Sequence, residues 1–466
     1  MSTMPASMLP VAPIPVTTVA VIGLGYVGCV EAAVLAAAGR HVVGVDRRAA
    51  VVEAIEGGRA PLVEPLLSER IERAIALRTL RATTDLSAAV QGSGCALICV
   101  GTPRGPDGEL LIDDVLGACK EVARAVPPGA TYTLIIRSTV PPGLYSKARD
   151  AIATALSERG VRAKVSLALN PEFLREGSAV KDREEPELIV YATEDDAAAS
   201  VVEGIWGPAH HAKMVRTDPA SAEVLKLVAN AWHALKVSFA NEVARIAKPI
   251  GVDPFEVMEL LCRDTKLNTS AAYLRPGMPF GGACLVKDVS ALESFARGAG
   301  VKVPVLGGVL ASNQAHLDHL VAAVLARKPQ RVAVVGIGFK PGASDVRDSA
   351  PVQLVTALLD AGMTVAVADA SVTDARIPPL GLLALEAALD DPRARAVDTI
   401  AEAVEGADVV VVAHPCLADR QALVALYQSG RGPSGVLLDA GGELSRKLSS
   451  PEREVLAPVV VLRGQA

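Results

Sequence analysis

The sequence predicts an α/β protein in which two doubly wound domains are joined by a helical central domain with one long helix. Three observations predict it. The strand, glycine turn, helix and strand of residues 18–46 return at 331–369, and a stretch without helix breakers runs from 219 to 248 between them. The chain also has 466 residues, too many for one hydrophobic core. The expected boundaries are a flexible leader over 1–17, an α/β domain over 18–217, a helical domain over 218–325 and a second α/β domain over 326–466.

Each element has a local cause. "TVAVIG" is a β-branched run, "GLGYVG" a glycine turn, "CVEAAVLAAAG" an amphipathic helix ended by Gly39, and "HVVGVD" a second strand. "CALICVG", "TYTLIIRST" and "KVSLALN" are further strand-forming runs with helical patterns between them, the alternation that builds a parallel sheet. Asp218 can cap a helix that starts at Pro219 and meets no breaker until Pro249, roughly 28 residues. "RVAVVGIGFKPG" then restarts the first design, with "APVQLVTALLDAG", "MTVAVAD" and the buried strand "ADVVVVAHP" behind it. In this second half the path from glycine turn to acidic residue is longer by roughly ten residues, which fall in "KPGASDVRDS", a loop placed where open α/β sheets bind ligands.

Bulk properties exclude some functions. Half the residues are hydrophobic and the net charge is -6, which argues against a nucleic acid or an anionic membrane as partner. No apolar run reaches ~18 residues free of charge, so no membrane span is expected, and the N-terminus does not read as a signal peptide. The cysteines at 29, 95, 99, 119, 262, 284 and 416 lack metal-ligand spacing, so no metal is expected. Their odd number suits the reducing cytoplasm, and Cys29, Cys95 and Cys99 read as buried apolar residues.

Gly23, Gly25 and Gly28 form G-x-G-x-x-G after a strand and at the head of a helix, the Rossmann-like arrangement that takes a pyrophosphate. Asp46 stands about 20 residues on, where a carboxylate holds the adenine ribose hydroxyls and repels a 2′-phosphate. NAD is therefore expected over NADP, although Arg47 and Arg48 could accommodate the phosphate. The second turn, "GIGFKPG", lacks the third glycine and suits a different nucleotide.

On the long helix, Lys226, Asn230, His233 and Asn241 fall within about 80° of one another. Polar groups on one stripe of so apolar a helix face water or a polar cleft, and the mixture of types favours a site. In "PFGGACLVKD", Cys284 follows Gly281 and Gly282, which are expected to let backbone and substrate come close. Lys287, three positions on, and Lys226 can supply the positive charge that a nucleophilic thiol needs. A nicotinamide cofactor and a thiol together suit oxidation of an aldehyde to an acid through a thioester.

"VIGLGYVG", "VGTP", "RSTVPPG", "NPEFLREGSAVKD", "FGGACLVKD" and "GFKPGASDVRDS" run in register from about 18 to 440, and together they resemble the UDP-glucose/GDP-mannose dehydrogenase family. The resemblance implies oxidation of a nucleotide sugar's primary alcohol twice, through aldehyde and thioester, with two NAD⁺ and one water. It implies that Cys284 is the nucleophile, that Lys226 stabilises oxyanions with help from Asn230, and that Asp288 serves water activation or proton movement. Thr139 and Glu172 would position a water. Glu176, His233, Asn241, Tyr273, Arg275 and Gly281 would contact the nucleotide sugar beside Lys226 and Asn230, with Lys340 reaching it from the second α/β domain. Tyr26, Val27, Thr84, Thr139, Lys287 and Arg347 would serve NAD with Asp46 and the three glycines. The central helix would build a homodimer or a higher homo-oligomer.

Within the family, "NAWHALKVSFANE", "KLN" and "YLRPGMPFGG" are most similar to the branch that oxidises GDP-mannose to GDP-mannuronate, an alginate precursor. Two residues depart from the pattern: Ala272 replaces a second tyrosine of that branch, and Val286 replaces a proline. The alternatives are a UDP-glucose or UDP-N-acetylhexosamine 6-dehydrogenase with the same mechanism. More remote are a two-electron dehydrogenase of the 3-hydroxyacid type and a non-catalytic nucleotide-sugar-binding protein.

Overall fold

The computed structural model describes residues 18–160, 162–247, 251–266, 272–274, 276–373, 389–430, 432, 435–442, 444 and 460–461. The expected leader and Arg275 lie outside the described residues. The chain divides into two compact units, Met1–Gly105 with Leu110–Lys226, and Pro106–Glu109 with Leu227–Ala466.

The first unit is built on eight strands: β1 (Thr18–Ile22), β2 (His41–Val45), β3 (Leu80–Thr83), β4 (Cys95–Ile98), β5 (Thr131–Ile136), β6 (Lys164–Leu169), β7 (Ile189–Ala192) and β8 (Met214–Thr217). Their order is β3-β2-β1-β4-β5-β6-β7-β8, and the first six have the order of a dinucleotide-binding sheet. Alternate residues of β1 serve opposite faces: Val19 and Val21 pack in one core with the first helix (Tyr26–Ala37), while Ala20 and Ile22 pack in the other. A sheet covered on both faces needs nearly continuous apolar strands, and these runs supply them.

The sheet departs from the expected all-parallel pattern at one pair. β6 and β7 are antiparallel, and β7 and β8 are parallel to each other. A parallel neighbour would require the chain to cross a sheet face before returning. Here the segment between β6 and β7, with only the short helix Ala179–Glu184 in it, stays at the carboxyl edge of β6. That keeps Glu172 and Glu176 on the ligand-binding edge.

The second unit carries β9 (Arg331–Val335), β10 (Thr364–Ala368), β11 (Ala394–Ala396), β12 (Val409–Val412), β13 (Val436–Asp439) and β14 (Val460–Val461), in the order β11-β10-β9-β12-β13-β14. All of its pairs are parallel, repeating the first six strands of the other sheet. The long helix spans Pro219–Ala247, 29 residues, with the division between units falling after Lys226. The Ser221 N–H donates to the Asp218 carboxylate at 2.9 Å, the cap the sequence predicts. Among the described residues, no helix is long and apolar enough to cross a membrane.

Candidate functional site

In the first unit the glycine turn follows β1, and two of its glycines are required by crowding. Gly23 has φ +91°, and a Cβ on Gly28 would stand 1.8 Å from the Gly23 carbonyl oxygen. Gly25 caps the helix Tyr26–Ala37 with its backbone alone, and a Cβ there would meet nothing within 4 Å. Bare helix N–H groups beside open space fit a pyrophosphate. Asp46 follows β2. Its carboxylate accepts from Leu24 N at 2.9 Å and from Arg48 N and Nε at 2.9 and 3.0 Å. Burial pushes this carboxyl up, but the bonds from Arg48 and Leu24 outweigh it and hold the group below the usual range. The carboxylate thus stays charged where the ribose hydroxyls of NAD would meet it.

Around this turn the expected cofactor residues take different places. Val27 is half-buried against the core, and Thr84 is exposed just past β3. The Tyr26 hydroxyl donates to Glu64, which sequence reasoning missed. Glu64 also accepts from Gly177 N at 2.6 Å and Ala179 N at 2.8 Å, tying the segment with Glu176 to the turn. An acid inside the apolar run "PLVEPLL" was the available signal.

The other polar feature of this unit is an ion pair. Lys226 Nζ lies 2.8 Å from Glu172 Oε1, and both residues are buried. Glu172 also accepts from Leu174 N at 2.6 Å. Burial pushes the Glu172 carboxyl up, and the Lys226 charge and hydrogen bond more than reverse this. Thr139 lies past β5, its carbonyl taking a 2.8 Å bond from the Thr102 hydroxyl.

In the second unit Cys284 is exposed and is the third residue of the helix Gly282–Gly298. Cys29, Cys95, Cys99 and Cys119 are all buried, and burial pushes the Cys95 and Cys119 thiols up to about 12. One turn beyond Cys284, Asp288 is fully buried between two partners. Asn230 Nδ2 donates to its Oδ2 at 2.5 Å, and Lys287 Nζ lies 2.8 Å from its Oδ1. The long helix and the cysteine helix thereby bring Asn230, Asp288 and Lys287 together as one cluster.

Three of the expected site features of this unit have partners within the chain. Gly281 and Gly282 make room for the chain itself. A Cβ on Gly281 would stand 2.4 Å from the Asp348 carbonyl oxygen, and one on Gly282 2.5 Å from the Phe339 ring. The long loop of the second α/β sequence repeat therefore packs on the residues that introduce Cys284. The charge of Lys287, expected to serve the thiol, is engaged by Asp288. Asn241 is buried with its Oδ1 accepting from Gly277 N at 3.0 Å, so it secures the approach to "PFGGAC".

His233 stacks on Tyr273 with ring centres 4.6 Å apart and planes at 20°. Lys236, not singled out by the sequence, is buried with its ammonium 5.4 Å from the Tyr273 ring centre. Arg347 is forked on Asp345, and the Lys340 ammonium lies 5.2 Å from the Phe339 ring centre. The second glycine turn differs from the first because Asp369 takes two of its donors, Ile337 N at 2.8 Å and Gly338 N at 3.0 Å.

Residues 17–210 match the NAD binding domain of the UDP-glucose/GDP-mannose dehydrogenase family, 220–315 its central domain and 333–422 its UDP binding domain. The chain belongs to the UDP-glucose/GDP-mannose dehydrogenase family. Its cofactor is NAD. This family member is 38% identical to a GDP-mannose 6-dehydrogenase of Pseudomonas savastanoi pv. phaseolicola over 77% of this chain and 82% of the relative. It is also 35% identical to a UDP-glucose 6-dehydrogenase of Haloferax volcanii, over 76% of this chain and 83% of that one. Among solved structures, a UDP-glucose dehydrogenase of Pyrobaculum islandicum superposes with a TM-score of 0.81 at 31% identity, covering 96% of this chain and 98% of its own. Identities this similar identify an oxidoreductase of nucleotide sugars and leave the sugar to the site.

Proposed function

We propose that this dehydrogenase oxidises GDP-mannose to GDP-mannuronate, a four-electron conversion of a primary alcohol to a carboxylate through a cysteine thioester. The observation that carries the reading is Cys284, an exposed thiol in the first turn of a helix, where the helix dipole favours negative charge. The overall balance is R–CH₂OH + 2 NAD⁺ + H₂O → R–COO⁻ + 2 NADH + 3 H⁺. Gly23, Gly25, Gly28, Asp46 and the residues around them would hold NAD, which would supply a hydride acceptor for each oxidation. The Cys284 sulfur adds to the aldehyde carbonyl, and after the second oxidation the acyl group remains on sulfur as a thioester. Water then cleaves the C–S bond and the thiolate leaves. Lys226 supplies positive charge for the oxyanions of these steps, and Glu172 holds its ammonium in place. Asp288, gripped by Asn230 and Lys287, is a buried carboxylate one helical turn from the sulfur, suited to moving a proton.

The same reading makes Glu176, His233, Asn241, Tyr273, Arg275, Gly281 and Lys340 substrate contacts. The domains would be bounded at 18–217, 218–325 and 326–466. A cytoplasmic homodimer follows from it too: Val228, Trp232 and Phe239 are exposed apolar residues of the long helix and can form its interface. The test is purified full-length protein offered GDP-mannose, UDP-glucose and UDP-N-acetylhexosamines with NAD⁺. NADH formation with GDP-mannose at the highest kcat/KM supports the substrate. Turnover of a UDP-sugar with none of GDP-mannose would move the assignment to the UDP branch.

A further inference from the structure

The first unit holds a second charged cluster, buried behind the glycine turn. Glu31, on the helix Tyr26–Ala37, is 1% exposed, and each of its carboxylate oxygens engages an arginine. Oε1 accepts from Arg137 Nη2, and Oε2 accepts from Arg183 Nε at 2.8 Å. Two guanidiniums against one carboxylate leave an excess positive charge in an interior where charge is costly. Arg183 stacks 3.6 Å from the ring centre of Trp206, whose indole N–H donates to Asn170 Oδ1 at 2.9 Å.

Arg137 connects this cluster to the proposed chemistry. It follows β5, and its Nη1 donates to Asn170 O at 2.9 Å, Asn170 Oδ1 at 3.0 Å and Pro171 O at 3.2 Å. Those are the two residues immediately before Glu172. Arg137 Nε and Arg183 Nη2 find no acceptor among the described residues, so hydrogen bonding alone does not account for burying both cations. An apolar cluster could hold the sheet at lower cost, but it could not fix two consecutive carbonyls.

We propose that Arg137 is a positioning residue for the Lys226–Glu172 pair: held by Glu31, it fixes the peptide run into Glu172 and hence the direction in which that carboxylate meets Lys226. The inference rests on the reading of Lys226 and Glu172 as part of the catalytic apparatus. The groups acting on Glu172 are Lys226 from the long helix, Arg137 from the end of β5 and the Cys99 thiol from the end of β4. Burial pushes Glu172 up and the two cations hold it below the usual range, while burial keeps Cys99 protonated. Removing Arg137 thus loosens the backbone and takes one cation from Glu172.

The test is Arg137→Met and Arg137→Lys in the full chain beside Cys284→Ala, with kcat and KM measured across pH and per folded enzyme. Arg137→Met is expected to lower kcat by at least about tenfold, with KM for NAD and sugar changed less than about threefold. Its acid limb of kcat moves to higher pH, because Glu172 then takes up a proton more readily. Arg137→Lys keeps the acid limb of the wild type but regains only part of kcat, since an ammonium lacks the fork that spans both carbonyls. If Arg137→Met does not fold, Arg137→Lys decides alone: an unchanged acid limb with kcat down by about threefold or more supports the role, and wild-type kcat overturns it. A merely structural triad would lower the melting temperature and leave kcat and the acid limb of Arg137→Met at wild-type values, which overturns the proposal. The control separates the two ideas. Carboxylate formation by Cys284→Ala would show the thioester reading to be wrong, whereas a Cys284→Ala that forms none beside a normal Arg137→Met defeats only the positioning role.

Discussion

The difference between Cys284 and the cysteines of the first sheet is one of surroundings. Cys95 lies in a strand between two packed faces, and its thiol is pushed up to about 12, whereas Cys284 is exposed at a helix start. Limited alkylation of the native protein near neutral pH, read by peptide mass, should therefore modify Cys284 well before Cys29, Cys95, Cys99 or Cys119. First labelling of a strand cysteine would contradict this. The sequence made Cys284 legible because it sits beside two glycines, a lysine and an aspartate in a row. Glu31, Arg137 and Arg183 were not legible, because they are 106 and 152 positions apart in pairs and only the fold brings them together. Glu64 was hidden for the same reason, its partners being 38 and 113 positions away.

At the scale of elements, the carboxyl edge of the first sheet collects the glycine turn, Asp46, Thr139 and Glu172 because each follows a strand end. Strand periodicity and turn residues made those strands and the long helix readable. The reversal of β7 was not, since nothing in the segment between β6 and β7 distinguishes a connection along one edge from one across a face. The glycine pair before Cys284 was read correctly as a place of close approach, but the neighbour is the loop with Phe339 and Asp348. Gly281→Ala should consequently destabilise the second unit by about 1–3 kcal/mol, since the added methyl must displace a backbone carbonyl. A lower thermal midpoint together with reduced NADH production is the expected result. An unchanged midpoint would mean that the loop yields freely.

At the scale of the whole molecule, two buried groups of the second unit give stability opposite dependences on pH. Burial lowers His316 from 6.5 to about 4, so the unfolded chain takes up a proton that the folded chain refuses, and stability falls as pH drops from 6.5 toward 4. Burial raises Asp369 from 3.8 to about 6, so the folded chain keeps a proton the unfolded chain releases, and stability falls as pH rises from 3.8 toward 6. Each is worth on the order of 3 kcal/mol at full extent, and between about pH 4 and 6 they oppose each other. Relative to the wild type, Asp369→Asn should make the thermal midpoint rise more steeply with pH in this window, and His316→Gln should make it fall. Equal slopes in the two variants would refute the assignment. Assembly belongs to the same scale: Trp232 is 54% exposed on the long helix, and Trp232→Glu should shift the proposed dimer to monomer in light scattering after gel filtration. A monomeric wild type would remove that interface.

The most direct test of the thioester route is the number of NADH formed per nucleotide sugar consumed when the sugar is limiting. Two NADH per sugar, with the carboxylate as product and no free aldehyde, is the result the account predicts for the wild type. One NADH per sugar, with the aldehyde released, would contradict it.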